Sequence, residues 1–510
     1  MADRLVMREA VSVPGAERTR LVFLCDRSRL RRWQVWLAEA LAAGGQSVRF
    51  SFVEGDPLPP SVNLLMMLER LVYGGGVERA SDVLDETELR HLPRADGGPY
   101  DLAIDFTGRA EGKSEMRTLR PTFDGVAGEA GAIGALLDRR PPRLGLADRD
   151  GRMKDFGACA IEDPALLSRG LDSAFSRMGS LMLPALRRAK GGGNEAMSSP
   201  SSRPAVAASS GTGAAAATFF ASSLAGKALA RLNELLGRAP RWSIAWRHGA
   251  SAPATETLEI PLDAFSRLRD DGRRYYADPF VLMRDGIAHV FCEEVPFATN
   301  KGVISHFTID ADGNASTPRP VLDQPYHLSY PFVFERDGGV WMIPESSSNR
   351  TIELYRAERF PDRWVKHATL LDNLLADDAT LFEKDGRLWL FASIRDRQAS
   401  SWDALGLFYA DSLTGPWTAH RANPVLLDPA SARPAGTLFR RDGQVIRPAQ
   451  DCARGYGRGL AFCRIDRLDE EGFAQSILAR AEPQTGSVQG LHTYNRAGAF
   501  EVIDLFGRGR

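Results

Sequence analysis

Cysteine is scarce and scattered in this 510-residue chain: Cys25, Cys159, Cys292, Cys452 and Cys463 include no C-x-x-C pair. That spacing excludes a conventional zinc site, and an odd number leaves at least one thiol outside any disulfide framework. An excess of one charge is also missing, because 64 Lys and Arg face 65 Asp and Glu, for a net charge of -1. Without a basic field, nucleic acid is not an expected partner. No stretch approaches 18 uninterrupted apolar residues, and the opening MADRLVMREAVSVPGAERTR holds no apolar run of signal-peptide length. No integral membrane segment is therefore expected, and the plain expectation is a cytoplasmic protein. No G-x-G-x-x-G follows the first apolar run, RLVFLC from Arg20, so the dinucleotide fingerprint is absent and no cofactor is expected.

What is present is a globular composition, 44% hydrophobic and 25% charged, with length for roughly three domains. The composition breaks near Lys190, where KGGGNEAMSSPSSRPAVAASSGTGAAAA offers almost nothing to bury. Residues 190–217 are read as a disordered Gly/Ser/Ala linker. Before it, residues 18–189 alternate strand and helix patterns: RLVFLC, a helical spacing from Leu30 to Ala43, a second strand from Ser47 to Val53, and DLAIDFTG from Asp101. This predicts an α/β Rossmann-like domain, with the polar tip of DLAIDFTG where open α/β sheets place ligands and a helical stretch from Pro164 to Ala189 closing it. After the linker, residues 218–240 carry Leu224, Ala228, Leu232 and Leu236 at helical spacing, predicting an amphipathic connecting helix.

Residues 20–150 resemble the N-terminal half of formyltransferases in strand order and in the position of DLAIDFTG. That family works with an Asn, His and Asp constellation, whereas the histidine before the linker is His91, in a polar segment that does not match the motif. The resemblance therefore implies a degenerate domain, and a scaffold or protein-docking role is the expectation for it.

The second half repeats. DPFVLMRDGIAHVFCEE from Asp278, YPFVFERDGGVWMIPES from Tyr330, ATLFEKDGRLWLFAS from Ala379 and GTLFRRDGQVIRPAQD from Gly436 each read as strand, Asp-Gly turn, strand. The turns are 52, 48 and 57 residues apart, and each hairpin is followed by further strands, which is the arithmetic of four-stranded propeller blades. HTYNRAGAFEVIDLFG at the C-terminal end supplies one hairpin, and WSIAWRHGA from Trp242 an orphan strand. Joining them predicts a fifth blade and a closed ring, hence an all-β five-bladed propeller over residues 241–510.

In a propeller the first strand of each blade lines the axis, so Asp278, Tyr330, Asp378, the Arg433–Gly436 turn and His492 are expected around one cavity. The returning strands bring Glu293, Glu294, Glu345, Arg395, Arg447, Gln450 and Asp451. Paired carboxylates are what glycosidic cleavage requires, one protonating the leaving oxygen while the other activates water or attacks the sugar, and crowding raises the pKa of one of them. The competing reading is that such residues cap loops and bond to backbone N–H groups of the next blade.

The DPF motif, the blade period and the acidic cavity resemble the five-bladed glycoside hydrolases of family 43 and their relatives of families 32 and 68. ADPF, HLSYPFVFE, MIPES, DATLFEKDGRLWLF, FYADSLTGPW, SARPAGTLF, RPAQDC and LHTYN resemble the N-terminal domain of plant glucosamine inositolphosphorylceramide transferases and its bacterial counterparts, over about residues 240–505. Against the family 43 pattern, Asp278 matches the catalytic base and Asp378 the aspartate that tunes the acid. Ala435 stands where a fourth-blade glutamate is expected, and Glu345 is the best replacement for that acid. The plant glycosyltransferase domain finds no matching segment, so transfer to an inositol lipid is not implied. The resulting expectation is a carbohydrate-active propeller with Asp278, Glu345 and Asp378 catalytic, and Tyr330, Arg433, Arg447, Gln450, Asp451, His492 and Tyr494 binding a glycan or sugar conjugate. The alternative is a non-catalytic carbohydrate-binding or scaffold propeller; no metal is assigned, although carboxylates of this kind can hold a cation.

Overall fold

The computed structural model describes residues 19–53, 58–73, 78–109, 116–188, 213–236, 239–250, 252–269, 271–483 and 487–507. Most of the stretch read as a linker, 190–217, lies outside these residues. The chain divides into two compact units, Met1–Leu232 with Asp396–Ser400, and Asn233–Arg395 with Ser401–Arg510.

The first unit is built on one seven-stranded sheet: β1 (Arg20–Asp26), β2 (Ser47–Val53), β3 (Leu102–Asp105), β4 (Thr118–Phe123), β5 (Val126–Ala127), β6 (Arg143–Asp148) and β7 (Met153–Ala158). The order β2-β1-β3-β4-β6-β7 is parallel as far as β4, whereas β6 and β7 join antiparallel and β5 pairs with β4. The unit is thus α/β with a mixed sheet. Tight returns accompany the mixing: Phe123-Asp124-Gly125-Val126 turns β4 back into β5 before α4 (Ala130–Leu137) leads on to β6, and the Asp148–Gly151 turn folds β7 antiparallel onto β6, as a hairpin connection allows. Helices α1 (Arg32–Ala43), α2 (Pro60–Tyr73), α3 (Glu86–His91), α4 (Ala130–Leu137) and α5 (Leu167–Arg188) accompany the sheet, α5 being the predicted closing helix. His91 is exposed at the end of α3.

A further helix, α6 (Gly213–Leu235), starts inside the predicted linker. The predicted stripe is not its buried face. Leu224, Leu232 and Leu236 are exposed, and Ala216, Phe219 and Ser223 are buried instead. Arg139 determines this choice, since its guanidinium lies over the Phe219 ring and donates to the Ser222 and Ser223 hydroxyls. Among the described residues no helix is long and apolar enough to cross a membrane.

The second unit is a five-bladed β-propeller of antiparallel sheets. Blade 1 opens with Arg274–Arg284 and Ile287–Pro296, blade 2 with Ser329–Arg336 and Gly339–Ser346, blade 3 with Leu375–Lys384 and Arg387–Arg395, and blade 4 with Phe439–Arg441 and Gln444–Asp451. The four Asp-Gly turns have both central residues at positive φ, from Asp285 (51°) and Gly286 (78°) to Asp442 (49°) and Gly443 (75°). That is the type I′ geometry whose twist matches a hairpin. Blade 5 joins Tyr494–Ala497 and Phe500–Gly507 to the early strand Arg241–His248, pairing Phe500 with His248 through Gly507 with Arg241. Ile244 and Trp246 of that strand then pack with Tyr276, Val281 and Val290 of blade 1, so the ring is closed by apolar burial as well as by the ladder.

One irregularity recurs at the inner strands and sets up the site. The ladder slips between Ala277 and Phe280, between Ser329 and Phe332, and between Asp377 and Thr380. Inside these bulges Asp278, Tyr330 and Asp378 adopt φ of 51°, 41° and 57°. Left-handed backbone at a side-chain-bearing residue costs roughly 1–2 kcal/mol, and bulges re-aim side chains. In blade 4, Ala435 is fully buried among apolar residues, and its neighbour Gly436 leaves no room for a side chain, since a Cβ there would lie 2.0 Å from the Tyr494 carbonyl oxygen.

Candidate functional site

The three bulges and the fifth blade bring ionisable groups from all five blades into one network. Asp278, from blade 1, accepts from the Thr493 hydroxyl (2.9 Å) and from the Tyr330 backbone N–H (3.3 Å), while its own N–H donates to Asp504 (3.1 Å). His492 Nδ1 lies 2.5 Å from Asp504 Oδ2 and 3.7 Å from Asp278 Oδ1. Asp504 also accepts from the His492 and Thr493 backbone N–H groups. On the other side, Arg433 Nε donates to Asp378 (2.6 Å), and its Nη1 to Asp377 (3.1 Å) and to the Ser401 hydroxyl (2.9 Å). Arg433 Nη2 lies 3.7 Å from the Glu345 carboxylate, and Gln450 adds a further donor to Asp378 (2.8 Å).

Tyr456 joins these two halves. The Arg433 guanidinium sits 5.3 Å from its ring centroid, and the His492 ring meets it edge-on at 5.2 Å. Trp242 stacks on the His492 ring at 3.9 Å and meets Tyr456 edge-on at 6.1 Å, and Trp402 lies 5.6 Å from Tyr456. Cations over aromatic faces gain about 0.5–2 kcal/mol each. Tyr456 is 36% exposed although charged groups surround it, so its ring is a wall that a flat ligand can reach.

The electrostatics divide the carboxyl groups by protonation. Burial, with Asp377 and Asp378 alongside, pushes Glu345 well above the usual carboxylate range against the pull of Arg433. The hydrogen bond between Glu345 and Asp378 raises the former and lowers the latter, the direction of a protonated Glu345 donating to an ionised Asp378. Burial also raises Asp378, opposed by Arg433. Asp278 is pushed up to about 7, by burial first, with His492 pulling the other way and Glu293, Asp378 and Asp504 adding to the rise. For His492, burial opposes the charged form, yet Asp504 and Asp278 outweigh it and hold the imidazolium to about 9.

A pH dependence of stability follows. The His492 pKa is raised from 6.5 to about 9, so its contribution is fully present below pH 6.5 and is lost as pH rises through about 9. Asp278, raised from 3.8 to about 7, gives a loss of the same sign in the adjoining lower window. Between pH 6.5 and 9 the propeller is expected to lose on the order of 3 kcal/mol of unfolding free energy. Urea unfolding followed across that range checks this, and in His492→Gln the slope over pH 8–9 should flatten. An unchanged slope in the variant would assign the loss elsewhere.

Among the described residues, ligand atoms of Asp278, His492 and Asp504 lie within 4.8 Å of one another, close enough to hold a metal ion. The donor set does not suit one. Asp504 Oδ1 accepts two backbone N–H groups, and its Oδ2 takes the Asp278 N–H and His492 Nδ1.

Of the ten residues singled out from the sequence, the network contains Asp278, Glu345, Asp378, Arg433, Gln450 and His492. The other four are placed in structural contacts. Tyr330 is fully buried, its hydroxyl taking the Gly436 N–H (2.6 Å) and lying 2.9 Å from Thr380, which ties blades 2, 3 and 4. Arg447, also fully buried, is spent on the Ser431 and Ala432 carbonyls and on Gln475 (2.9 Å). Asp451 pairs with Arg480 and accepts the Ala453 N–H (3.1 Å), and the Tyr494 hydroxyl donates to Glu501 (2.7 Å) within the blade 4–5 core. Sequence reasoning passed over Asp377, Tyr456, Trp242, Thr493 and Asp504. Two of these carried a signal: Tyr456 lies between glycines in RGYGRG, and Asp504 is a lone charge in the apolar run VIDLF.

Comparison with known proteins agrees with the motif resemblance. The family model described as glucosamine inositolphosphorylceramide transferase 1, N-terminal, matches residues 265–495, a span that holds the whole network except Trp242 and Asp504. Glucosamine inositolphosphorylceramide transferase 1 of Oryza sativa subsp. japonica is 35% identical over 205 residues, covering 39% of this chain and 27% of the rice protein. Its Arabidopsis thaliana counterpart is 31% identical over 205 residues with the same coverage. The chain therefore spans 27% of the length of these curated relatives. Among solved structures, a family 117 glycoside hydrolase from Zobellia galactanivorans aligns with a TM-score of 0.35 at 13% identity, covering 52% of this chain and 90% of that one. The α-L-arabinofuranosidase PaAbf62A from Podospora anserina aligns with a TM-score of 0.35 at 12% identity, covering 52% of this chain and 98% of that one.

Proposed function

We propose that the propeller binds a sugar conjugate at its axis and cleaves or transfers a glycosidic bond. Glu345 is the proton donor to the leaving oxygen, Asp278 the base or nucleophile, and Asp378 the group that keeps the acid protonated. The observation that carries this reading is Glu345 itself: its side chain is 15% accessible, and burial beside Asp377 and an Arg433-fixed Asp378 pushes its carboxyl well above the usual carboxylate range. An acid raised in this direction that can be reached from solvent is what glycosidic cleavage needs on the leaving-group side. Tyr456 and Trp402 provide faces on which a sugar ring stacks. The similarity to the plant transferases supports the substrate class, a sugar joined to an inositol phosphate. The five cysteines are free and buried, which suits a reducing compartment, and we place the protein in the cytoplasm.

A second reading has its own observation. Both Asp278 oxygens already accept hydrogen bonds, from Thr493 and from the Tyr330 N–H, as a structural carboxylate would. In that case the propeller recognises the sugar without turning it over. One experiment separates the two readings: incubation with glucosaminyl- and mannosyl-inositol phosphates and with aryl glycosides, followed by mass spectrometry for products and calorimetry for binding. Products from at least one conjugate are expected. Binding without product would leave the recognition reading, and absence of both would overturn the carbohydrate assignment.

A further inference from the structure

Glu293 and Glu345 hold the same place in successive blades. Glu293 pairs across its hairpin with Ala277, the residue before the bulge at Asp278, as Glu345 pairs with Ser329 before the bulge at Tyr330. The repeat therefore sets a second glutamate beside the axis, one blade away from the proposed acid. Burial is the main cause of the raised pKa of Asp278 and of Tyr456, and Glu293 adds to both, so its carboxyl borders the cavity they share.

One oxygen of Glu293 is held and the other is not. His327, in the loop before blade 2, meets Glu293 Oε1 at 2.8 Å. Its Nδ1 accepts the Gly302 N–H (3.0 Å), so Nε2 carries the proton and donates to the carboxylate. Glycine is required at 302, because a Cβ there would lie 2.7 Å from His327 Nε2 and 2.4 Å from the Leu328 carbonyl oxygen. The Leu328 N–H donates back to the Gly302 carbonyl (3.0 Å), which pins the loop that carries the imidazole. Among the described residues nothing donates to Glu293 Oε2, although the side chain is only 8% exposed. The neighbouring Glu294 shows what a structural carboxylate looks like here: Arg274 occupies one of its oxygens and the Ser305 hydroxyl (2.6 Å) the other.

A nearly buried carboxylate oxygen without a protein donor is costly unless water or a ligand supplies one. His327 fixes the direction of that oxygen, and its own ring, 34% exposed, keeps the pair within reach of solvent. Resting on the reading that the axis takes a sugar conjugate, we infer that Glu293 is a substrate-binding residue. Its Oε2 accepts a donor on the sugar ring, a hydroxyl or an ammonium, and His327 is its positioning residue. A few fixed polar groups of this kind orient a ligand, and this one gives the sugar a point of recognition on blade 1, apart from the acid on blade 2.

The test uses the full chain, with glucosaminyl- and mannosyl-inositol phosphates and the 4-nitrophenyl glucoside and glucosaminide as probes. Dissociation constants come from calorimetry on the wild type and on Glu293→Gln. Glutamine keeps the bond from His327 through its carbonyl and puts an amide NH2 in the place of Oε2, so the clamp remains while acceptance is lost. At least one probe should bind the wild type and bind the variant at least tenfold more weakly, with an unchanged urea midpoint. Where product forms, KM should rise at least tenfold and kcat hold, the mark of uniform binding. A loss larger for the amino sugars and shrinking with salt identifies an ammonium, and equal losses a hydroxyl. His327→Asn keeps an acceptor for the Gly302 N–H and removes the donor to Glu293. It should weaken binding in the wild-type background and add nothing in Glu293→Gln, and additive losses would overturn the positioning role. A loss below tenfold, a loss that comes with a lowered urea midpoint, or a fall in kcat at constant affinity would overturn the inference and leave the carbohydrate reading standing. No binding of any probe to the wild type would overturn both.

Discussion

Glu345→Gln is expected to lower turnover by about 100- to 10,000-fold, the usual contribution of a positioned acid, while sugar binding and the unfolding midpoint change little. The amide matches the shape of the protonated carboxyl and still donates to Asp378, but it has no proton to give. Loss of kcat with an unchanged dissociation constant measured by calorimetry is the signature sought. Aryl glycosides with good leaving groups should be rescued in part, because their departure needs little protonation. If turnover falls equally for good and poor leaving groups, Glu345 is not the acid.

Arg433→Met is expected to cost on the order of 3–5 kcal/mol of propeller stability, as when one partner of a buried ion network is removed. The guanidinium is nearly buried and is shared by Asp377, Asp378, Ser401 and Glu345, so the variant leaves a cluster of acids with no cation among them. Arg433→Lys should recover only part of the loss, since an ammonium cannot reproduce the forked contacts. The sign with pH is also fixed. The unpaired carboxyl groups take up protons as pH falls, so the penalty should shrink between pH 8 and pH 4 in urea titrations. A penalty independent of pH would mean that lost packing, and not the uncompensated charges, dominates.

The repeat made the propeller legible, because hairpin chemistry is local: an Asp-Gly pair between alternating strands has one favoured geometry, and four copies at blade spacing leave little choice of architecture. The orphan strand from Trp242 could be assigned to the last blade because an unpaired edge has to be covered. The same local logic found Asp278, Asp378 and His492. It did not separate them from Tyr330, Arg447 and Tyr494, because residue type at a repeated position does not say whether the side chain turns to the axis or to the neighbouring blade. The hydrogen-bond partners decide that: Tyr330 sits in the same kind of bulge as Asp278 and Asp378, yet its hydroxyl goes to Gly436 and Thr380. In the first unit, helix and strand periodicity was legible, whereas the turn at Asp124-Gly125 that inserts β5 ahead of the helix leading to β6 is not registered by hydrophobic patterning.

Ring closure by Arg241–His248 also affects the order in which the protein matures. His492, Thr493 and Asp504 belong to the blade that forms only when that early strand meets the last one, Phe500–Gly507. During synthesis, four blades can assemble while the early strand waits without its ladder partner and Asp278 lacks its Thr493 donor. The half of the site around His492 and Asp504 therefore waits for the chain to be translated through residue 507, whereas Arg433 and the acids it holds come from blades 2 to 4.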